Sequence, residues 1–385
     1  MGLASGFSIP VAQYFGAGDY DKMRKSVANA MKLSGFVAAL LTLLSLVFLK
    51  QILILLQTNK ILMSDSLSYG YIIFAGLTAT VAYNFLSCML RAVGDSRTPF
   101  FAVAVATVIN IVFDCIFIFG FKTGVWGAAI ATVLAQLSSA AICYIRIRKI
   151  EIMHLKKSDF YDGKSYRTVL IKNGIPMALM NSITGVGIMV VQYFVNGMGV
   201  AATSAFSACS KYANLFMQPG NTAANTVSAY TSQNFGAREY GRIRKGIHVS
   251  LGLVSAFYVV IASLMVFGAE TLAKIMLHEE NTIKLATVYL PIEGVCFIIL
   301  YFLFVIRAGC QGMGYPLFPM ISGGMEMIMR IVFIILLTGS MGFAATAWAD
   351  VSAWCGALVV NFIAYEIILN LHIKKTNRIA VPKTA

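Results

Sequence analysis

Ionisable side chains inside long apolar stretches are the residues of this chain that could do chemistry. Asp114 is the sharpest case, because Asn110 lies four residues before it and therefore on the same face of a helix. A carboxylate and an amide at this spacing can hold a proton or a sodium ion. Burying such a group is costly, so it is a functional hypothesis by default. The alternative is a polar pair that packs one helix against another.

The second half of the chain carries more residues of this kind. Glu293 lies in the middle of an apolar stretch and is a second candidate for coupling to a cation, with a packed polar residue as the alternative. Glu326 and Arg330 are four residues apart, so we expect an internal ion pair that fixes helix packing. Asp350 and Lys211 are candidates for lining a cavity. Asp350 could instead approach the outer surface, and Lys211 could extend from a helix end toward water.

No catalytic constellation appears in the sequence. It has no nucleophile–base pair and no phosphate-binding loop, and its seven cysteines lack metal-ligand spacing. We therefore predict a protein that is not an enzyme, binds no metal and uses no cofactor beyond a coupling ion, Na⁺ or H⁺.

Composition indicates the elements that must position these residues. Hydrophobic residues make up 58% of the chain and charged residues only 12%, whereas a soluble domain carries about 25% charged residues. We therefore expect an all-α polytopic membrane protein whose main partner is the lipid bilayer. Residues 1–15 are too short to span and form a partial segment. Ten full spans are predicted, at about 30–50, 66–90, 99–121, 124–145, 168–195, 201–231, 247–268, 284–306, 316–338 and 342–370.

The basic residues predict the orientation of these spans. The net charge of +14 is concentrated in alternate loops and in the tail after residue 370. This bias is the positive-inside pattern, so it predicts a cytoplasmic C-terminus and gives no reason to expect a nucleic-acid partner. The most charged stretch, 151–167, is expected to be a solvated cytoplasmic linker, with lipid-headgroup binding as the alternative.

A short motif occurs twice and divides the chain. The segment that begins with Gln13 and Gly16 (QYFGAGDYDKMRK) returns with the same spacing at Gln233 and Gly236 (QNFGAREYGRIRK). We expect both glycines to adopt positive φ at a helix–helix turn, and both glutamines to satisfy backbone groups there. The predicted role of the motif is structural.

The repeat predicts two lobes, 1–150 and 168–385. We align Arg91-Ala92 followed by Gly94 with Arg307-Ala308 followed by Gly312. An even number of spans in each half gives parallel six-helix repeats, which in transporters place the substrate site between the lobes. The second half has two helices before its motif and the first half has only a stub. The repeat therefore predicts an N-terminally shortened chain that lacks the first helix and most of the second.

Taken together, the two motif copies, Arg91-Ala-Val-Gly94-Asp-Ser-Arg-Thr-Pro99 and Gly174-Ile-Pro176 resemble the multidrug and toxic compound extrusion (MATE) family along essentially the whole chain. The resemblance implies a two-lobed transporter of twelve helices that expels organic cations in exchange for sodium ions or protons.

The resemblance also implies two cation sites. In the N-terminal lobe Asn110, Asp114 and Thr132 match one family pattern by type and spacing, although the first-helix Asp of that pattern is absent here. In the C-terminal lobe another pattern uses acids on the seventh and tenth helices. Glu293 matches the tenth-helix acid, whereas the seventh helix, 168–195, has none.

The leading expectation is a monomeric antiporter in the plasma membrane (a bacterial inner membrane), which exports organic cations and drugs in exchange for Na⁺ or H⁺. One alternative is a lipid-linked oligosaccharide flippase of the same superfamily, which would need more cationic residues facing its cavity. The other alternative is an inactive, truncated paralogue.

Overall fold

The chain is helical throughout the part that the structure describes. The computed structural model describes residues 1–55, 61–161 and 163–380, and in these residues it contains no strand. The α-helices are α1 (Gly2–Gly16), α2 (Tyr20–Leu55), α3 (Met63–Ala75), α4 (Leu77–Ala92), α5 (Arg97–Asp114), α6 (Val125–Ile147), α7 (Lys164–Gly197), α8 (Val200–Phe216), α9 (Gln218–Gly236), α10 (Tyr240–Phe267), α11 (Ala269–Met276), α12 (Glu280–Gly312), α13 (Leu317–Met341) and α14 (Ala344–Ala380). A π-helix (Cys115–Gly120) follows α5, and two short 3₁₀-helices (Glu151–Met153 and Lys157–Phe160) follow α6.

Eight helices in the described residues are long and apolar enough to cross a membrane, and α3 with α4 makes a ninth span if the pair is counted as one. That pair is bent by 41° at Gly76. Nine of the ten predicted spans therefore correspond to helices of suitable length. The predicted span 201–231 is instead divided at Met217 into α8 and α9, because Pro219 sits in the first turn of α9 and cannot donate a backbone hydrogen bond. The prediction of ten full spans is not confirmed.

Large apolar side chains cover the outer faces of these helices. Phe36 and Leu43 on α2 are 67% and 61% exposed, and Phe100 and Val108 on α5 are 78% and 61% exposed. A water-soluble protein does not leave such continuous apolar faces uncovered. Together with the spans, they identify a multi-pass membrane protein whose outer surface contacts lipid.

Two compact units divide the chain, Leu3–Gly174 and Ile175–Ala385, and the division falls inside α7. In the N-terminal unit, α1 is a buried helix: Phe7 is 2% exposed and Val11 is fully buried. It crosses the start of α7 with backbone against backbone. A Cβ atom at Gly6 would lie 2.5 Å from Cα of Gly174, so only glycine permits this approach.

The segment after α6 packs onto α2 and is not a simple solvated linker. Met153 and Asp159 are buried at 3% and 1% exposure. Asp159 accepts the backbone N–H of Lys156 at 2.8 Å and lies 3.7 Å from Arg24 of α2, while Lys32 donates to the carbonyl of Phe160 at 2.7 Å. The segment is therefore solvated only in part: Lys156 and Lys157 are exposed, while Met153 and Asp159 are buried against the helix. The assignment of 151–167 as a cytoplasmic linker stays a prediction.

Helix α12 forms the centre of the C-terminal unit. In the most apolar stretch of α12, 56% of the residues are buried, compared with 17% in that of α10 and 28% in that of α13. Tyr289, Phe297 and Tyr301 are at most 2% exposed. Tyr289, Glu293, Arg307 and Gln311 of α12 are therefore buried within the unit, whereas Glu280 and Lys284 near its start are exposed.

The two copies of the repeated motif form the same turn. After α1, the N–H of Asp19 bonds to the carbonyl of Tyr14, and Gly18 is left-handed with φ of 73°. After α9, the N–H of Glu239 bonds to the carbonyl of Asn234, and Arg238 is left-handed with φ of 61°. This is the Schellman helix end.

The expectation that Gly16 and Gly236 adopt positive φ is wrong. Both glycines end their helices, and the left-handed residue comes two positions later. The capping role of Gln13 and Gln233 stays a prediction.

A second pair of turns corrects the register of the repeat. Gly94 after α4 and Gly314 after α12 are left-handed, with φ of 91° and 85°, and close equivalent turns. Gly94 therefore matches Gly314, not Gly312, and Arg91 matches Gln311. The alignment through Arg307 was one helical turn out of place, because an Arg-Ala pair happens to recur four residues earlier.

Asp95 connects the first of these turns to the end of α6. Its carboxylate accepts from Thr98 N–H at 3.0 Å and from Arg146 Nε at 2.9 Å. Partial burial raises the pKa of Asp95, but these hydrogen bonds and the arginine charge outweigh it and leave the pKa below its ordinary value of 3.8.

Candidate functional site

Helix α12 contributes a buried acid and a tyrosine to the centre of the C-terminal unit. Tyr289 and Glu293 are one turn apart and so lie on the same face. The hydroxyl of Tyr289 donates to Oε1 of Glu293 at 2.8 Å. Glu293 is 1% exposed, and its other oxygen, Oε2, has no hydrogen-bond partner in the described residues. A buried carboxylate oxygen without a donor is costly and indicates a place for a proton or a cation.

Helices α13 and α14 place an ion pair beside this acid. Nε of Arg330 donates to Oδ1 of Asp350 at 2.6 Å, and Nη2 of the same guanidinium lies 3.4 Å from Oε1 of Glu326. Tyr289 connects the two groups, because its hydroxyl also lies 3.4 Å from Oδ2 of Asp350. The structure thus places Glu326 and Arg330 together, but the shorter contact of Arg330 is to Asp350.

Arg307 lies at the other end of these contacts. Its Nη2 donates to Oε2 of Glu326 at 2.7 Å, and both residues are at least nine-tenths buried. The contacts therefore run without interruption through six side chains, which we call the ionic chain: Glu293, Tyr289, Asp350, Arg330, Glu326 and Arg307.

The charges of the ionic chain do not balance. It contains three acids and two arginines, so one negative charge is in excess when all five are ionised. Each arginine contacts an acid, and Glu293 is the acid that makes no ion pair in the described residues. Because an uncompensated buried charge is strongly unfavourable, this arrangement attracts one positive charge.

A small cavity adjoins the unpaired acid. Its volume is about 130 Å³, and its polar lining comprises Tyr289, Glu293, Arg330 and Asp350 together with Ser210 and Asn214 of α8. A water molecule occupies about 30 Å³ in the liquid, whereas pockets for drug-sized ligands begin at about 300 Å³. The cavity therefore has room for a proton with a few waters or for a small ion, but not for an organic drug.

Of the two residues expected to line a cavity, the structure places one there. Asp350 lines the cavity and is held by Arg330. Lys211 on α8 is exposed and is absent from the cavity wall.

The N-terminal candidates are less closely assembled. Asp114 is the last residue of α5, and the π-helix Cys115–Gly120 follows it directly. Nδ2 of Asn110 and Oδ1 of Asp114 are buried and have no hydrogen-bond partner in the described residues. Thr132 donates to the carbonyl of Ala128 at 3.0 Å, an ordinary bond within α6. No hydrogen bond joins any two of the three candidates in the described part of the chain.

The register of α5 against α6 brings two of the three to one level. Ser139 of α6 lies 3.3 Å from the carbonyl of Ala102 of α5. The helices are antiparallel. Asn110, eight residues after Ala102, is therefore level with the residue that lies eight before Ser139, which is the one before Thr132. Asp114 lies a further turn away, roughly 6 Å along the axis.

The corrected repeat shows that the two units carry polar pairs at equivalent positions. The sequence shift that aligns Gly94 with Gly314 also aligns Asn110 with Arg330. Gly124 and Gly342, the left-handed glycines before α6 and near the start of α14, fix a second shift, under which Thr132 corresponds to Asp350. An amide and a hydroxyl in one unit thus stand where the other unit has an ion pair.

Comparison with known proteins assigns the family. The MatE family model matches residues 1–116 and 176–336, which is most of the chain and includes both motif copies. The chain belongs to the MatE family. MatE proteins are transporters, and this agrees with the resemblance found in the sequence.

Other MatE proteins match along most of their length. The chain is 27% identical over 327 residues to the probable multidrug resistance protein YoeA of Bacillus subtilis (strain 168), covering 83% of this chain and 71% of that protein. It is also 27% identical over 334 residues to the probable multidrug resistance protein NorM of Thermotoga maritima, covering 83% of this chain and 70% of that protein.

Solved structures share the fold. The crystal structure of MATE in the bent conformation superposes with a TM-score of 0.90 at 18% identity, covering 98% of this chain and 85% of that one. An outward-facing multidrug resistance MATE transporter gives a TM-score of 0.91 at 18% identity, covering 97% and 84%.

Sequence reasoning missed two members of this MatE ionic chain. In the sequence Arg307 serves only to align the repeat, yet it lies within α12 and pairs with Glu326. Tyr289 carried no visible signal except its position four residues before Glu293. The i, i+4 spacing that suggested Glu326 with Arg330 could have identified this tyrosine as well.

Proposed function

We propose that this MatE protein exports organic cations, drugs among them, across the plasma membrane in exchange for an inward-moving sodium ion or proton. The names of similar proteins support drug export: two are probable multidrug resistance proteins, and the multidrug export protein MepA of Staphylococcus saprophyticus is 23% identical over 359 residues. The observation that carries the exchange is Glu293, a buried acid that makes no ion pair with any described residue and lies beside an ion-sized cavity.

Glu293 is the proposed carrier of the coupling ion. A cation or proton on Glu293 neutralises the excess charge of the ionic chain, and its release restores that charge. Because Tyr289 touches both Glu293 and Asp350, this change reaches helices α12 and α14 together. Such a change in buried charge can bias the rocking of two parallel repeats around a substrate site.

Two features of the topology belong to the same proposal. Helices α8 and α9 together cross the bilayer as a tenth, broken span, which MatE-type repeats of six helices require. The basic loops and the C-terminus face the cytoplasm, because Lys and Arg are concentrated there.

Asp114 is proposed as a secondary site. Oδ1 of Asp114 and Nδ2 of the neighbouring Asn110 are buried without a hydrogen-bond partner in the described residues. Both atoms favour binding of a small polar species. No second acid contacts this pair in the described residues, however, so it offers a weaker electrostatic reason to bind a cation than the ionic chain does.

The proposal is tested by transport in proteoliposomes. The purified chain is reconstituted, and ethidium movement is followed under an imposed Na⁺ or H⁺ gradient. We expect Glu293→Gln to lose gradient-driven transport by at least about tenfold, because the neutral amide cannot exchange a charge. Glu280→Gln is the matched control, since it makes the same substitution at an exposed acid of the same helix and should retain most of the transport.

The reverse result would move the coupling site to the N-terminal unit. If Asp114→Asn abolished transport and Glu293→Gln did not, Asp114 with Asn110 would be the coupling pair. If the parent chain inserted into liposomes and moved no cation, the inactive-paralogue alternative would stand.

An anionic substrate is the competing possibility. One relative, 23% identical over 298 residues, is the FAD transporter of Shewanella oneidensis, and a flippase would likewise carry a phosphorylated substrate. The excess negative charge of the ionic chain opposes both. Arg330 is already paired with two acids, and Lys211 lies outside the cavity. Measuring FAD movement in the same proteoliposomes decides between the two substrate classes, because an anion transporter would carry FAD and not ethidium.

A further inference from the structure

Arg330 occupies an unusual place for a buried arginine. Its residue is 2% exposed and lies in the wall of the cavity, between Asp350 at 2.6 Å and Glu326 at 3.4 Å. Nη1 makes no hydrogen bond in the described residues. The chain also makes room for it: a Cβ atom at Gly187 of α7 would lie 2.9 Å from Nη1. The guanidinium therefore stands where a second free cation would otherwise bind.

The charge count explains what the guanidinium does. With Arg330 present, the ionic chain lacks one positive charge. Without Arg330, Asp350 loses its cationic partner and becomes a second uncompensated acid on the cavity wall beside Glu293. The ionic chain then lacks two positive charges. Two acids and a tyrosine hydroxyl around a small cavity are oxygen ligands of the kind that a divalent ion prefers.

We propose that Arg330 is a tethered cation that restricts the cavity to one monovalent cation and excludes divalent ions. The inference deepens the proposed exchange and rests on it for the claim that the cavity holds the coupling ion. Arg330 is thus a specificity-determining residue. Glu326, which contacts both Arg330 and Arg307, helps to hold the guanidinium of Arg330 in position.

Calcium is the appropriate probe, because Na⁺ and Ca²⁺ have nearly equal radii and differ in charge. Binding of radioactive Ca²⁺ to the purified full-length chain in detergent is measured for the parent and for Arg330→Gln. We expect the Gln variant to bind Ca²⁺ at least about tenfold more tightly than the parent, because it presents two uncompensated acids at short range.

Two controls separate charge from structure. Arg330→Lys keeps the charge and loses the planar fork, so a purely structural role would be disturbed while the charge role is not. The double variant Arg330→Gln with Asp350→Asn removes the base together with the acid that it pairs with, so Glu293 is again the one uncompensated acid on the cavity wall. Both should bind Ca²⁺ no better than the parent. Tight binding by either control, or parental binding by Arg330→Gln, overturns the proposal.

A second measurement serves if Arg330→Gln does not fold. Carbodiimides react with protonated buried carboxyls. The protein is treated with a carbodiimide in sodium-free buffer, and mass spectrometry measures the fraction of Glu293 that is modified. Glu326→Gln balances the ionic chain, so Glu293 no longer needs a proton, and labelling should fall several-fold. Labelling equal to the parent would contradict the charge balance. Neither measurement involves transport, so loss of ethidium transport with the expected Ca²⁺ pattern would refute the proposed function alone.

Discussion

Glu293 and Asp350 are both buried acids of the C-terminal unit, yet their surroundings differ. Asp350 is held by a guanidinium at 2.6 Å, whereas Glu293 accepts one tyrosine hydroxyl and leaves an oxygen without a partner. Neutralising each of these two acids should therefore change the stability of the protein differently. Breaking a buried ion pair leaves an uncompensated charge, while neutralising an unpaired acid removes one.

This contrast gives a prediction for two similar substitutions. Asp350→Asn should destabilise the protein by about 3–5 kcal/mol, because Arg330 loses its closest counter-charge. Glu293→Gln should leave stability unchanged or higher, because an amide can still accept from Tyr289 and carries no charge. Thermal unfolding of both variants in one detergent provides the comparison. Equal destabilisation would mean that Glu293 has a counter-charge that the described contacts do not include.

At the scale of helices and turns, the repeat is expressed in backbone conformation more clearly than in side chains. The turns after α1 and α9 use the same hydrogen bonds, although one has glycine and the other arginine at the left-handed position. A residue with a Cβ atom in this region is less stable by roughly 1–2 kcal/mol than it is in the right-handed region. The second turn therefore carries strain that the first does not.

Exchanging these two residues should have opposite effects. Both Gly18 and Arg238 are exposed, so their substitution tests the backbone rather than packing. Arg238→Gly should stabilise by a few tenths to about 1 kcal/mol, reduced by the greater freedom of glycine in the unfolded chain. Gly18→Arg should destabilise by about 1–2 kcal/mol. Melting temperatures of the two single variants and the parent suffice, and a shift of the same sign for both would refute the explanation.

Across the whole molecule, the corrected repeat relates the polar positions of the two units. Asn110 and Thr132 stand where Arg330 and Asp350 stand in the other unit. One half of the molecule thus carries its pair as ions and the other as neutral groups. The number of buried charges differs between the units, although the helices that carry them are equivalent.

A double-mutant cycle can test this equivalence. Thr132→Asp should destabilise strongly, because it places an unpaired charge inside the N-terminal unit, whereas Asn110→Arg should destabilise less, because Asp114 lies one turn away on the same face. The double variant should recover part of the loss, with a coupling energy of about 2 kcal/mol or more, if the two positions face each other as their counterparts do. Additive losses in the stability measurement would show that the positions are not in contact.

Sequence reasoning identified the residue types correctly and their groupings only in part. Nine of the ten predicted spans correspond to helices of spanning length in the described residues, because composition and apolar length are properties of each segment alone. The grouping of Glu326 with Asp350 and Arg307 depends on contacts between α12, α13 and α14, which no local spacing contains. The alignment error at Gly94 has a similar origin, since a slip of one helical turn preserves the pattern of faces.

The packed segment after α6 was missed for a different reason. Its many charges favoured a solvated linker, and the burial of Asp159 depends on a single long-range contact with Arg24. Likewise, Pro219 was visible in the sequence, but an apolar average over 201–231 concealed the break that it causes.

The odd number of charges in the ionic chain also has an electrical meaning. If its excess charge is balanced by one monovalent ion on the way in and by the transport of one monovalent drug on the way out, no net charge crosses the membrane in a cycle. The membrane potential, worth about 2.3 kcal/mol per elementary charge at 100 mV, would then contribute nothing to the export of such a drug. For an uncharged substrate the same site would make the cycle electrogenic, and the potential would become the main driving force.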